Sequence, residues 1–219
     1  MARSTKPVLA YGLFCFIASG LPVIVDRAQL RRSLRERRRA IPAKERIAAA
    51  ESLAQRLLGL PFVPPSGYVA GYWAMDGEIA LHAWQLQLPS ALVYCLPVLC
   101  EDARLRFAPW RPGDALVTNR YGIPEPDLPP NAMIDADAMA LVVVPLVGFD
   151  ARGQRLGMGG GWYDRSFAFR NARAAPPWLV GAGFAAQQID VLAAEPWDVA
   201  LDAVCSERDT FLAAGIITA

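Results

Sequence analysis

VVVPLVGFDARGQRLGMGGGWYDR, residues 142–165, is the stretch whose reading decides the fold. It begins inside a short apolar run, Leu141 to Val147, which predicts a strand buried on both faces. A turn at Phe149-Asp150-Ala151-Arg152-Gly153 leads to the glycine-rich segment Arg155-Leu156-Gly157-Met158-Gly159-Gly160-Gly161. Trp162-Tyr163-Asp164-Arg165 then predicts the first turn of a helix running to Ala172. Strand, glycine loop and helix N-terminus in that order make an anion site. Glycines let backbone N–H groups turn toward a phosphate, and the helix dipole favours negative charge. The loop is not a Walker A loop, since no Gly-Lys-Ser/Thr closes it, and the spacing of Gly157, Gly159 and Gly161 does not give GxGxxG. Arg155, Tyr163 and Asp164 crowd the same few positions, which sets the segment apart from a plain flexible connection.

On either side, strand and helix signals alternate. Upstream, Tyr68 to Ala74 and Leu92 to Leu96 predict strands, the second stopped by Pro97, with a helix from Glu78 through Leu88 between them. Arg104 to Phe107 alternates like an exposed strand, Tyr121 to Pro126 is an extended rigid loop, and Pro61 to Gly67 and Pro129 to Asp137 are linkers. Downstream, Trp178 to Phe184 predicts a strand, Gln187 to Ala194 a helix, and Val199 to Val204 a final strand. This alternation predicts an α/β fold, a three-layer α/β/α arrangement around a mostly parallel, Rossmann-like sheet, in one domain spanning 26–219.

Asp26 to Arg39 predicts a basic helix with Leu30, Leu34 and Ile41 on one stripe and arginines over the rest. Pro42 suits the first position of a second helix that stops at Gly59. The arginines read as a solvated face, as a phosphate clamp, or as a nucleic-acid surface. Confinement of the charge to one short helix weighs against the last.

Composition narrows the classes. In 219 residues the formal net charge is +1, which gives no global case for nucleic acid or a membrane surface, and 54% hydrophobic content is ample for a core. Cys15, Cys95, Cys100 and Cys205 show no CxxC or zinc spacing, so reduced thiols in a cytoplasmic protein are expected. The single histidine, His82, excludes a multi-histidine metal site. Residues 1–25 stand apart: Arg3 and Lys6 precede an apolar run from Val8 to Val25, broken by Gly12, Gly20 and Pro22. That segment reads as a signal-like leader, a weak anchor, an extension from an upstream start, or an apolar arm lying on the domain.

With these residues in view, the chain resembles the 5-formyltetrahydrofolate cyclo-ligase family, also called methenyltetrahydrofolate synthetase. The resemblance spans about Arg27 to Glu207. It is most specific at Val144 to Asp150 and Arg155 to Arg165, close to a VPG-x-x-FD strand end followed by an RLG-x-G-x-GYYD loop. Tyr72 with Asp76-Gly77-Glu78, Gly122 to Pro126, Gly183-Phe184-Ala185 with Gln187, and Glu195 to Asp198 follow in the right order.

The resemblance implies ATP-dependent closure of 5-formyltetrahydrofolate to 5,10-methenyltetrahydrofolate through a phosphorylated formyl group, with ADP and phosphate released and no protein nucleophile. It implies that Arg27, Arg31 and the segment Arg155, Leu156, Gly157, Met158, Gly159, Gly160, Gly161, Trp162 and Tyr163 bind ATP. Arg155 and Tyr163 would act in catalysis, with Arg155 as counter-charge for the transferring phosphoryl group. Asp164 and Asp198 would hold Mg²⁺, and Trp73, Glu78, Met158 and Trp162 the folate. The partner is then the small-molecule substrate, with or without a polyglutamate tail. A monomer is expected, with no nucleic acid and no membrane apart from the run at 8–25. The chain departs from the pattern at Trp162, which replaces a tyrosine, at Pro145-Leu146 in place of Pro-Gly, and at Trp197 in place of a common histidine. These departures keep open a catalytically drifted folate- or nucleotide-binding paralogue.

Overall fold

The computed structural model of the chain describes residues 13–16 and 22–216. Leu13–Phe16 (β1) and Pro22–Val25 (β2) pair as antiparallel strands. The rest of the apolar segment lies outside the described residues, and with it the choice between leader, anchor, extension and arm. Among the described residues no helix is long and apolar enough to cross a membrane.

Helix α1 (Arg27–Arg39) starts at Asp26, whose extended backbone and side chain cap it by accepting the Ala28 N–H at 2.8 Å. Arginines fill its last turn, where the dipole favours positive charge. Helix α2 (Ala43–Leu58) follows Pro42, ends at Gly59, and buries Ala49, Ala50, Leu53, Ala54 and Leu57. Next come β3 (Gly67–Ala70), α3 (His82–Gln87), β4 (Leu92–Leu99) and β5 (Leu105–Pro109). A small hairpin, β6 (Leu116–Thr118) and β7 (Pro124–Pro126), precedes β8 (Leu141–Pro145). A second hairpin, β9 (Gly148–Phe149) and β10 (Arg155–Leu156), leads to α4 (Trp162–Ser166), β11 (Trp178–Ala182), β12 (Ala203–Cys205) and β13 (Thr210–Leu212).

The main sheet has seven strands in the order β13-β12-β11-β8-β3-β4-β5. The inner five run parallel, and β13 and β5 pair antiparallel at the edges. From β3 the chain moves outward to β4, then returns to β8 and proceeds the other way to β11 and β12. That reversal opens a crevice beyond the carboxyl ends of β3 and β8, the place where open α/β sheets take ligands.

Alternation along β8 divides the core. Leu141 and Val143 join Leu53, Leu57, Trp84 and Leu96 under α2 and α3, while Val142 and Val144 join Phe107, Met139, Phe149 and Phe167 on the other face. Helices α2 and α3 cover the first face; the second is covered by α4, short 3₁₀ turns and loops. The three-layer expectation therefore holds with one thin layer. Helix α1 joins neither face, because its buried Leu34 packs with Val147, Leu156 and Leu192.

Several element boundaries depart from the sequence reading. The helix expected to reach Ala172 stops at Ser166 and resumes as a 3₁₀ turn at Ala168–Asn171. The helix expected over Gln187 to Ala194 is only the 3₁₀ turn Ala185–Gln187. Beyond it the amides bond across the chain, Ile189 N–H to Phe149 O at 2.9 Å and Leu192 N–H to the buried Asp150 Oδ2 at 3.0 Å. Glu78 does not open a helix, since α3 begins at His82. Strand β4 runs through Pro97 to Leu99, because past Cys95 β5 is its sole strand neighbour, an edge-like setting that tolerates proline. Strand β13 had no counterpart in the sequence reading.

Candidate active site

One wall of the crevice is the turn that follows β3. Asp76 and Gly77 both adopt positive φ, 51° and 77°. The Asp76 carboxylate accepts from Arg35 Nε at 2.7 Å, from Arg38 Nη2 at 2.9 Å and from Arg39. Arg38 is 0% exposed. It also donates to the Asp76 carbonyl at 3.2 Å and the Leu146 carbonyl at 3.4 Å, and its Nη1 lies 3.6 Å from Glu78 Oε1. The other oxygen of Glu78 accepts the Met75 N–H at 3.0 Å. Glu78 is thus fixed from two sides.

Electrostatics within this wall diverge over two residues. Burial raises the Glu78 pKa, and the Met75 amide and Arg38 offset part of that rise. At Asp76 burial also raises, but hydrogen bonds from Arg35 and Arg39 and the charges of Arg35 and Arg38 outweigh it, so the pKa is lowered. Tyr72, whose hydroxyl donates to Ile79 O at 2.8 Å, and Tyr163 on α4 are both raised, first by desolvation and then by the Glu78 charge. Glu78, Tyr72 and Tyr163 therefore share one electrostatic neighbourhood, which Arg155 also enters through its effect on Tyr163. Trp73 meets Trp110 edge-on with centroids 5.7 Å apart, and packs partly against the core.

The opposite wall is the glycine loop. The β9–β10 hairpin is pinned beneath it: buried Asp150 accepts the amides of Arg152, Gln154 and Leu192, and Gln187 donates to the carbonyls of Leu146 and Val147 at 3.0 and 2.9 Å. In the loop itself none of the amides from Gly157 to Gly161 donates a hydrogen bond among the described residues. Gly159 and Gly161 sit at φ 97° and 65°, and Met158 is 53% exposed. Arg31 donates through Nε to Gly157 O at 2.8 Å and lies beside Gly159, while Arg165 lies beside Gly161. Desolvation, then the Arg27 charge, lowers the Arg31 pKa.

Arg27 pairs with Glu195 at 2.9 Å and with Asp198 at 3.5 Å, and its Nε is buried without a partner. Arg155, 9% exposed, donates to Val199 O at 2.6 Å and pairs with Asp164 Oδ1, which also accepts the Val199 N–H at 3.2 Å. The Asp198 carboxylate accepts the Glu195 N–H at 2.9 Å. Tyr163 stacks on Phe167 with centroids 6.4 Å apart. The guanidiniums of Arg120 and Arg165 each lie 5.3 Å from the Trp162 ring, which Tyr121 meets edge-on.

A half-buried acid held by Arg38 and a loop of amides unpaired among the described residues thus lie at the reversal point of a parallel sheet. The model of the 5-formyltetrahydrofolate cyclo-ligase family matches residues 23–207. The chain belongs to this family. A relative named 5-formyltetrahydrofolate cyclo-ligase from Haemophilus influenzae is 34% identical over 179 residues, covering 80% of this chain and 94% of its own. One from Escherichia coli K12 is 35% identical over 176 residues, covering 78% and 94%. Among solved structures, a 5,10-methenyltetrahydrofolate synthetase from Aquifex aeolicus superposes with a TM-score of 0.73 at 24% identity, over 88% of this chain and 95% of that one. The corresponding enzyme from Mycoplasma pneumoniae gives 0.65 at 22% identity, over 84% and 99%. At those identities the two structures share the fold.

Within the cyclo-ligase frame, the structure gathers Arg27, Arg31, Arg155, Asp164 and Asp198 around the glycine loop and its supports, and Glu78 and Tyr163 around the crevice. Both metal candidates are already engaged, Asp164 by Arg155 and Asp198 by Arg27. Among the described residues no group of three acidic, thiol or imidazole side chains is placed to hold a metal. Magnesium needs only one or two carboxylates when phosphates complete its shell, and Asp164 Oδ2 accepts no hydrogen bond among the described residues, so the donor set fits such an ion.

The sequence reading passed over Arg38 as one more arginine on a basic helix. Its signal was positional: Leu30, Leu34 and Arg38 follow at four-residue spacing, which puts an arginine in line with the buried leucines.

Proposed function

We propose that the protein is a 5-formyltetrahydrofolate cyclo-ligase that closes 5-formyltetrahydrofolate to 5,10-methenyltetrahydrofolate with consumption of ATP. The observation that carries this reading is the pairing of walls across one crevice: fixed, half-neutralised Glu78 on one side, and on the other the unpartnered amides of Gly157 to Gly161 with Arg31 beside them.

In this reading Glu78 accepts N–H hydrogen bonds from the pterin, and Trp73, Met158 and Trp162 contribute apolar and aromatic surface. The loop amides, Arg31 and the vacant Nε of Arg27 hold the nucleotide phosphates. The formyl oxygen takes the γ-phosphoryl group and ADP leaves. N10 attacks the formyl carbon, the carbon–oxygen bond breaks, and phosphate departs with that oxygen while N10 loses its proton. No side chain needs to become covalently attached, in keeping with a lone His82 exposed on α3. The work of the protein is positioning and charge neutralisation. Arg155 supplies a fixed positive charge beneath the loop and holds Asp164 and the Val199 segment to it. Asp164 and Asp198 are the residues that would hold Mg²⁺, which when bound supplies charge to the phosphate oxygens. Buried, unpaired Cys95 and Cys205 accord with a reducing, cytoplasmic setting, and residues 26–219 are the catalytic unit, acting as a monomer without nucleic acid.

The test is turnover of 5-formyltetrahydrofolate by the purified full chain, and by a chain beginning at Asp26, with ATP and Mg²⁺, followed by methenyltetrahydrofolate absorbance. ATP-dependent product that disappears with chelator is expected. Arg155→Ala is expected to lower kcat about 100-fold or more, the loss typical when a preorganised charge at a reacting group is removed. A flat trace from folded wild-type protein overturns the enzyme and leaves a folate- or nucleotide-binding paralogue.

A further inference from the structure

The β6–β7 hairpin lies outside every role assigned so far, yet its tip is built with care. Asn119 Oδ1 accepts the N–H groups of Tyr121 at 2.9 Å and Ile123 at 3.1 Å, its backbone N–H donates to Ile123 O at 3.0 Å, and Gly122 takes the left-handed φ of 75° that closes the turn. Glu125 fastens the hairpin to β4 by accepting the Leu99 N–H at 3.3 Å, and braces the hairpin's own tip by accepting from Asn119 Nδ2 at 3.0 Å. This scaffold delivers Arg120 and Tyr121 onto Trp162, the residue that closes the glycine loop. Arg120 lies 5.3 Å from the centroids of both the Tyr121 and the Trp162 rings. Among the described residues it has no carboxylate partner and donates no side-chain hydrogen bond. Arg165, on the same Trp162 ring, is held through Nε by Ala103 O at 2.8 Å. A guanidinium resting on an aromatic face still presents its N–H fork to a ligand.

We propose that Arg120, with Tyr121, Trp162 and Arg165, forms a rim subsite for the carboxylates of the folate's glutamate tail. The assignment rests on the reading of Glu78 as the acid that holds the pterin. A folate presents, in order, a hydrogen-bonding ring, an aromatic ring and carboxylates. The groups assigned to the folate grade from the interior outward in the same sequence: Glu78, with 13% of its side chain exposed, then half-buried Trp162, then the exposed Arg120 with Tyr121, which is 57% exposed. The nucleotide phosphates have their own cations, Arg27 and Arg31, which leaves Arg120 for a second anion.

The test compares the full-length wild type with Arg120→Ala and Arg120→Lys, an exposed position where the fold is under no strain. KM is measured for the monoglutamate and the triglutamate of 5-formyltetrahydrofolate and for ATP. In Arg120→Ala the triglutamate KM rises about tenfold and the monoglutamate KM about threefold, the scale of one or two exposed charge-assisted hydrogen bonds. Arg120→Lys recovers most of the difference, and added salt erases it. Equal change for the two tail lengths, or none, overturns the proposal. A raised KM for ATP with unchanged folate KM also overturns it, by assigning the subsite to phosphate. Should the wild type show no turnover, the cyclo-ligase reading fails separately. The same comparison is then made on dissociation constants of the two folates, read by tryptophan quenching: a larger loss for the triglutamate supports the subsite, and an equal loss or none overturns it.

Discussion

Three arginines of α1 converge on the Asp76 carboxylate, whereas the amides of Gly157 to Gly161 converge on nothing among the described residues. The two walls face one crevice but are held in opposite ways. The Asp76–Glu78 turn is complete before any ligand arrives, with its positive φ angles locked by charge-assisted hydrogen bonds. The glycine loop keeps its donors unspent and its neighbours, Arg31 and Arg165, cationic. The lesson is one of division. The Asp76–Glu78 wall draws on the stability of the fold, and the glycine loop, under the proposed function, draws on its ligand. Damage to the first should appear in unfolding, and damage to the second in KM.

The largest effect is expected at Arg38. Arg38→Met removes the buried cation between Asp76, Glu78 and Leu146 O and is expected to lower the unfolding free energy by about 3 kcal/mol, as when one member of a buried ion pair is deleted. Urea denaturation reads this directly, and a loss under about 1 kcal/mol would dissolve the contrast between the walls.

A smaller effect of the other kind is expected at Gly159, where a Cβ would meet Arg31 only at ordinary contact distance but φ is 97°. Gly159→Ala should raise the KM for ATP about tenfold as the loop relaxes to relieve left-handed strain, with unfolding free energy changed by about 1 kcal/mol or less. A large stability loss with normal ATP KM would reverse the assignment.

The smallest effect is in pH, and the two acids of one turn give opposite signs. Glu78, raised above its ordinary 4.5, favours the protonated native state, so its contribution is lost as pH rises through the raised value. Glu78→Gln should therefore gain stability relative to wild type as pH climbs above about 4.5. Asp76, lowered from its ordinary 3.8, contributes fully above that value and loses its contribution as pH falls through the folded one. The deficit of Asp76→Asn should hold steady at neutral pH and shrink only in acid. Parallel slopes for the two variants would show that the turn titrates as one unit.

Much of the fold was legible because local signals agreed with tertiary ones. Asp26 caps α1, Gly59 ends α2, and the apolar run of β8 is buried on both faces as its composition requires. The expectation failed where tertiary bonds overrode period. Ile189 and Leu192 spend their amides on Phe149 and Asp150, so an apolar spacing that reads as helix becomes an extended tie across the hairpin. The glycine loop was legible as a turn between a strand and a helix, and the left-handed φ angles of Gly159 and Gly161 show the conformations those glycines permit. The folate wall was half legible. Glu78 stood out as a candidate acid, but Arg38 and Asp76 were not given their part, because a buried arginine and its acid stand 38 residues apart and only the fold joins them.

The contacts of α1 also bear on how the protein is made. Arg38 meets Leu146 across 108 positions, Arg31 meets Gly157 across 126, and Arg27 meets Glu195 across 168. At about 5–20 residues per second, the helix emerges roughly ten to thirty seconds before the ribosome has produced its last partner. During that interval Asp76 reaches Arg35, Arg38 and Arg39 early, but Arg27 is without the two acids that later neutralise it. A chain released early, short of Glu195, lacks β12 and β13 and leaves Arg27 without its Glu195 and Asp198 partners, although Asp76, Leu146 and Gly157 are already there to hold the rest of α1. The first helix to be made is therefore among the last to be completed: its C-terminal half docks early on Asp76, while its first arginine waits for the end of the chain.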